Sequence, residues 1–269
     1  CYSGIDLHSN NSVVLVSDET DRVVYQRRLP NELVRIVAAL EPYRDELAGV
    51  VVESTYNWYW LIDGLQAAGY RVHLANPAAM KRYEGLKHSG DETDAAYLAH
   101  LLRLGILPTG YICPPDERAV RDLARKRLQL VRTRNAQVLA VENIVARQTG
   151  SGISANAVKR LQSEAVEALG LPEDVTPAVA ANVAVIQTLT AEIGKLEARL
   201  RQRVRLRTKF RVLITVPGIG EVLATIIMLE AGAMERFAAV GNFASYARCV
   251  DSKRMSNGKK KGEGNVKNG

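Results

Sequence analysis

The run Leu47–Ser54, LAGVVVES, constrains this chain most. It is apolar without alternation, the pattern of a β-strand covered on both faces. Any sheet that holds it needs helices above and below. The flanking segments supply both. Before it, YSGIDLH, SVVLVSD and RVVYQRRL are short β-branched runs broken by Asn-Asn and by DETD, and they predict three antiparallel strands joined by hairpins. NELVRIVAALEPY then predicts a helix with Asn31 as its cap. After it, YNWYWLIDGLQAAG predicts a helix stopped by Gly69, YRVHLAN a strand, and PAAMKRYEGL a helix opened by Pro77. A further helix carries Asp91 and Asp94. The order βββαβαβα describes a mixed sheet flanked by helices, an α/β domain over residues 1–114.

CPPDE at Cys113–Glu117 breaks that pattern. A long helix without a breaker is predicted from Arg118 to Gln148. TGSGIS and GLPEDVTP punctuate, and a second long helix runs from about Pro177 to about Arg207. In it Val179, Ile186, Leu189, Ile193, Leu196 and Leu200 form a heptad-like seam. Residues 115–210 are thus a long-helix, coiled-coil arm, an antiparallel hairpin or a dimer arm, with a helical bundle packed on itself as the plainer alternative. Residues 211–269 form a third region, which contains LITVPGIGEVLATIIMLEAG at Leu213–Gly232, where Pro217-Gly218-Ile219-Gly220 divides two apolar helical segments. This has the outline of a helix-hairpin-helix, with Gly218 and Gly220 exposing backbone N–H groups to a phosphate; an ordinary tight turn has the same residues. The polar end, SKRMSNGKKKGEGNVKNG, is expected to be a flexible loop that orders on a partner.

The net charge is +7, and the surplus of bases lies beyond Glu117, in RDLARKRLQLVRTR, RLRQRVRLRTKFR and the terminal lysines. One such run is an ordinary solvated helix face; three in one half favour a polyanion such as nucleic acid. Three distant cysteines, no apolar run long enough to cross a bilayer and no signal-peptide pattern give a cytoplasmic expectation. The first residue is Cys, and both ends are expected to be cut.

The acids carry the chemistry. Asp6 falls inside the first strand and Glu53 at the end of the apolar one, where a lone carboxylate is costly unless paired or metal-bound. With the first and fourth strands adjacent they lie side by side. Asp91 and Asp94, three apart, share a helix face. They are either first-turn acids suited to the helix dipole or further ligands. Four carboxylates together repel unless a hard divalent cation, Mg2+ above all, sits among them. His8 either touches this site or is a satisfied structural histidine. His88 is a weak candidate for phosphate contact. Trp58 and Tyr59 are candidates for base stacking, and Trp60 for packing under the sheet.

The pattern D…E…D-x-x-D in Asp6, Glu53, Asp91 and Asp94, the arm, PGIG, and the ends GIDLHSNNS and CVDSKRMSNGKKKGEGNVKNG resemble the DEDD transposases of bacterial insertion sequences, relatives of the Piv-type DNA invertases. The resemblance spans nearly the whole chain. It implies an RNase-H-like (RuvC-like) domain with those four acids as its tetrad, and a C-terminal transposase domain whose glycine-rich loop carries a nucleophilic serine, Ser256, with Ser252 the nearby competitor. Lys259, Lys260 and Lys261 would hold the scissile phosphate. It further implies donor and target DNA, an element-encoded guide RNA of the bridge-RNA or seeker-RNA type, a homodimer or tetramer, and a nucleoid-associated protein. The competing expectation on the same fold is a structure-selective endonuclease of the junction-resolving type.

Overall fold

The structure, a computed structural model, describes residues 1–80, 91–250 and 252–264. The chain divides into two compact units, Cys1–Pro115 and Asp116–Gly269.

The first unit is built on a five-stranded sheet of order β3-β2-β1-β4-β5, from β1 (Tyr2–Leu7), β2 (Asn11–Ser17), β3 (Val23–Pro30), β4 (Gly49–Glu53) and β5 (Val72–Ala75). β1, β2 and β3 are antiparallel neighbours, while β4 runs parallel to both β1 and β5. One face carries Ile5, Val14, Val50 and Val52 into a core with Ile36 and Leu40 of α1 (Leu33–Leu40) and Leu61, Ile62 and Leu65 of α2 (Tyr59–Ala67). The other face carries Val13, Leu15 and Val51. It is covered by Ala95, Leu98 and Ala99 of α4 (Asp91–Arg103), which follows the short α3 (Pro77–Met80). Both faces of β4 are therefore sealed, as its unbroken valines require. The predicted extension of α3 past Met80, and His88, lie outside the described residues.

Asn31 does not cap α1. The cap position is Glu32, with no side-chain hydrogen bond. Asn31 instead donates from Nδ2 to the carbonyls of His8 (2.9 Å) and Ser9 (3.1 Å), and its Oδ1 accepts from Ser12 Oγ (2.7 Å). The side chain is used up in pinning the β1–β2 turn.

In the second unit α5 (Pro115–Thr149) and α7 (Thr176–Val204) pair antiparallel, on either side of α6 (Ala155–Arg160). Val138, Val141 and Val145 meet Val179, Val183 and Ile186 at one end. Val120 and Ala124 share a core with Leu200 and Val204 at the other. The buried seam positions of α7 are thus covered within one chain. The second core also takes in Phe210 of α8 (Thr208–Leu213) and Ala224, Met228 and Leu229 of α9 (Glu221–Ala231), so the base of the arm and the helices after it are one packed body. α7 stops at Val204, short of the predicted Arg207; the basic strip spans a helix end, a turn and α8 rather than one helix.

After α10 (Val240–Tyr246) the polar tail forms a two-stranded hairpin, β6 (Ser252–Ser256) and β7 (Lys259–Gly264), where a loop was expected. Its turn is Asn257-Gly258, both at positive φ (50° and 70°). This is the dipeptide and backbone of a two-residue hairpin loop whose twist matches the strands.

Candidate active site

Asp6 and Glu53 reach one place through sheet register. β1 and β4 pair Gly4 with Val51 and Ile5 with Val52. One further step sets Asp6 beside Glu53, at the carboxyl end of two parallel strands. Asp6 is opposite Val13 and shares the face of Val13 and Leu15, which α4 covers. Glu53 lies two residues beyond Val51 on that same face. Asp6 is 5% exposed, and its Oδ2 lies 3.3 Å from His8 Nε2. His8 therefore belongs to the acid site. Its backbone carbonyl is held by Asn31 and by Asn57 Nδ2 (3.0 Å), so the β1–β2 turn and the β4–α2 loop are tied together beside the acids.

Asp94 is brought to this end by close packing. A Cβ placed on Gly4 would lie 1.9 Å from the Ala95 carbonyl oxygen, so the α4 backbone rests directly on β1. The other end of α4 is fixed by Asp21 in the β2–β3 turn. Asp21 accepts from Arg103 Nε (2.7 Å) and meets His100 Nδ1 at 2.8 Å. Arg103, and then His100, hold the Asp21 carboxyl below the usual range. With its carboxyl end anchored at the Tyr2–Ser17 edge of the β1–β2 pair, α4 directs its first turn toward Asp6. Asp94, in that turn, is half-buried. The backbone of Asp91 opens α4; its side chain lies outside the described set. Among the described residues, no three His, Cys, Asp or Glu side chains close into a group able to hold a metal. The donor set at this sheet end is nonetheless carboxylate oxygen, the chemistry a hard divalent cation takes.

The aromatic residues after Glu53 divide differently from expectation. Trp58 is 7% exposed, in the core, and in edge contact with Tyr59 at 4.6 Å. It is unavailable for stacking on a base. Trp60 packs against the same core. Tyr56, in the loop just past Glu53, is 82% exposed. Nothing in the sequence pattern separates the Tyr56 ring from the aromatics that follow it, so Tyr56 carried no expected role.

In the second unit, the hairpin register pairs Ser256 with Lys259 and Met255 with Lys260 across the Asn257-Gly258 turn, and Ser252 with Gly264 at the far end. Lys259 is exposed; the side chains of Ser252, Ser256, Lys260 and Lys261 lie outside the described set. Gly218 has φ 86° in the turn between α8 and α9, and Gly220 is the N-cap of α9. The first residue of α9, Glu221, accepts from Arg201 Nε (2.9 Å). Several expected nucleic-acid bases are likewise engaged within the unit. Arg118 and Arg121 are buried, Arg125 binds Glu230 (2.7 Å), Arg127 binds Glu197 (2.8 Å) and Arg207 binds Glu117 (2.6 Å).

Residues 3–147 match a family model for DEDD-type IS110 transposases, described as "Transposase". Residues 210–269 match a second, described as "Transposase IS116/IS110/IS902 family". The chain is also similar to a curated protein of Pseudomonas aeruginosa (strain PAO1) named "Probable family 20 transposase". The two are 25% identical over 267 residues, which cover 96% of this chain and 76% of that protein.

Proposed function

The chain belongs to the IS110 family of DEDD-type transposases and is a DNA-recombining enzyme; we propose that it cuts and rejoins strands with the carboxylates Asp6, Glu53, Asp91 and Asp94 and with Ser256 as nucleophile. The observation that carries this reading is the register that sets Asp6 beside Glu53, with α4 seated on Gly4 so that Asp94 approaches the same strand end. Such transposases generally use a divalent metal. Here Mg2+ would be held by the four acids, and when bound it supplies positive charge against a phosphate. His8 restrains one oxygen of Asp6. Asn31 and Asn57 fix the backbone on which both sit.

A serine hydroxyl is a poor nucleophile near neutral pH and needs electrostatic help. Lys259, the register partner of Ser256, supports that role, with Lys260 and Lys261 on the same strand. Attack by Ser256 on a DNA phosphate would break the phosphorus–oxygen bond to one deoxyribose, release that strand end as a hydroxyl with the proton given up by the serine, and leave a phosphoserine link that the reverse attack by a strand hydroxyl would rejoin. The helix-hairpin-helix role of Gly218 and Gly220, assembly as a dimer or tetramer, kinship with the Piv-type invertases and guidance by an element-encoded RNA are parts of the same proposal, supported by the sequence resemblance.

The test is a denaturing gel of labelled donor DNA after incubation with the protein and its element's RNA. A covalent protein–DNA adduct is expected, lost in Ser256→Ala. Cleavage with free ends, undiminished in Ser256→Ala, would favour a junction-resolving endonuclease. Equal target-specific cleavage without RNA would remove the guide.

A further inference from the structure

The two edges of the five-stranded sheet differ. β5 is covered by the segment after α4, through a bridge of Ala75 with Thr109 and a hydrogen bond from Gly110 N to Leu74 O (2.7 Å). β3 is open: among the described residues no strand pairs with its outer side. Between β3 and α1 runs a groove of about 490 Å³. Register places Arg27 opposite Val14 and Tyr25 opposite Val16, on the α1 face of the sheet. Arg27 and Arg35 line the groove and are exposed, Arg35 at 61%. Arg35 is bonded to Glu32 (2.6 Å) in an exposed i,i+3 pair, which competes weakly with a phosphate. Arg28 rims the groove, with its Nη1 bonded to Asn11 Oδ1 (2.7 Å). Tyr25 and Tyr43 form an apolar wall, their ring centroids 6.0 Å apart.

Charge is thus separated across the sheet. Asp6 and Glu53 lie on the α4 face; the arginines of this groove lie at the β3 edge, and Arg27 and Arg35 belong to the α1 face. In sequence this unit has more acids than bases, 14 against 10 over residues 1–115, so the groove is a local feature and not a consequence of bulk charge. Guanidinium groups are suited to phosphate oxygens because their fork matches two oxygens at once.

We infer that the β3–α1 groove is a second DNA contact of this domain, holding the backbone of duplex DNA away from the carboxylate end through Arg27 and Arg35. The inference rests on the DNA-transposase reading. It adds a surface that binds without cutting and that reads no base. The arginines also blunt an open strand edge against aggregation, a role that glutamate would serve equally well. Charge reversal therefore separates the two roles.

The experiment measures binding of the full chain to a labelled random 30-base-pair duplex, and to a single-stranded RNA of equal length, across a salt series. The variants are R27E/R35E, R27Q/R35Q, and R71E as an exposed control beside β5, the opposite edge strand. The expected result is at least a tenfold loss of duplex affinity in R27E/R35E. The slope of log K against log salt should fall by about 2, since each phosphate contact contributes roughly 0.9. R27Q/R35Q should fall between this variant and the wild type, and R71E should stay within twofold. Melting temperatures within about 2–3 degrees of wild type, as for most surface changes, would confirm that the fold is kept. Unchanged duplex affinity in a folded R27E/R35E, or a loss confined to RNA, would overturn the inference while leaving the transposase reading intact. Failure of the wild type to bind DNA at all would instead strike that reading.

Discussion

Tyr56 is the residue whose surroundings say most about substrate. Its ring stands 82% exposed in the loop that leaves Glu53, while Trp58 two positions on is sealed in the core. An exposed ring beside the proposed acid site is a platform for an unstacked base, and such stacking contributes about 1–3 kcal/mol per base. Tyr56→Ala is expected to weaken single-stranded DNA binding on the order of tenfold and to leave the melting temperature unchanged; Tyr56→Phe should retain binding. Two titrating residues act on stability. Arg103, then His100, depress the Asp21 carboxyl in the folded state, so on acidification the unfolded chain takes the proton first. Stability from Asp21 is whole above its ordinary pKa, about 3.9, and is lost as pH falls through the lower folded value. His73 is depressed by burial and then by Arg71. The unfolded chain therefore gains the proton below about pH 6.5, and stability declines from there down. Thermal melts should show an acid-side loss that begins near pH 6 and is reduced in His73→Gln, and a second, below about pH 4, that is absent in Asp21→Asn. The carboxylates Asp6 and Glu53 were legible in sequence because an acid inside an apolar strand is an anomaly. Asn31 was misread because a helix-start asparagine looks the same whether its side chain turns to its own helix or to a turn 22 residues away.

α4 is the element on which the acid site depends, and Gly4 is what lets it approach. A methyl group there would meet the Ala95 carbonyl at 1.9 Å, a backbone atom that cannot swing aside. Gly4→Ala is expected to lower stability by about 1–3 kcal/mol, the usual cost of overpacking. It should also reduce cleavage, by lifting Asp94 from the strand end. A Gly4→Ala protein with wild-type melting and activity would show that α4 is free to shift. The hairpin β6–β7 marks the limit of pattern reading. Its strands, SKRMS and KKKGEG, hold Met255 as their single apolar side chain, so no apolar alternation announces them; Asn257-Gly258 was the available signal, and it was read only as part of a glycine-rich loop. The sheet, by contrast, was readable as three antiparallel strands followed by a covered, internal β4, because continuous valines admit only such a position; the edge place of β5 had no comparable signal.

At the scale of the whole molecule, the surplus of bases is partly structural. Pairs from α5 to α7 and α9 tie the second unit together, and what remains for a polyanion is the exposed set that includes Lys126, Arg132, Arg203, Arg205 and Arg211. The seam of α7 is likewise occupied within the chain: Val179, Val183 and Ile186 pack on α5, and Leu189 and Leu196 are half-buried. L189E/L196E is accordingly expected to lower the melting temperature while leaving the mass in solution unchanged; a drop in mass would reassign the seam to assembly. Among the described residues no helix is long and apolar enough to cross a membrane. The proposed function requires Asp6, Glu53 and Asp94 to share one cation site. Its most direct test is Mn2+ binding followed by electron paramagnetic resonance in the full-length wild type and in E53Q and D94N. A tight Mn2+ class is expected in the wild type, displaced by Mg2+ and weakened at least tenfold in each variant. Wild-type affinity and stoichiometry in D94N would contradict it, and would return Asp94 to a first-turn acid that serves only its helix.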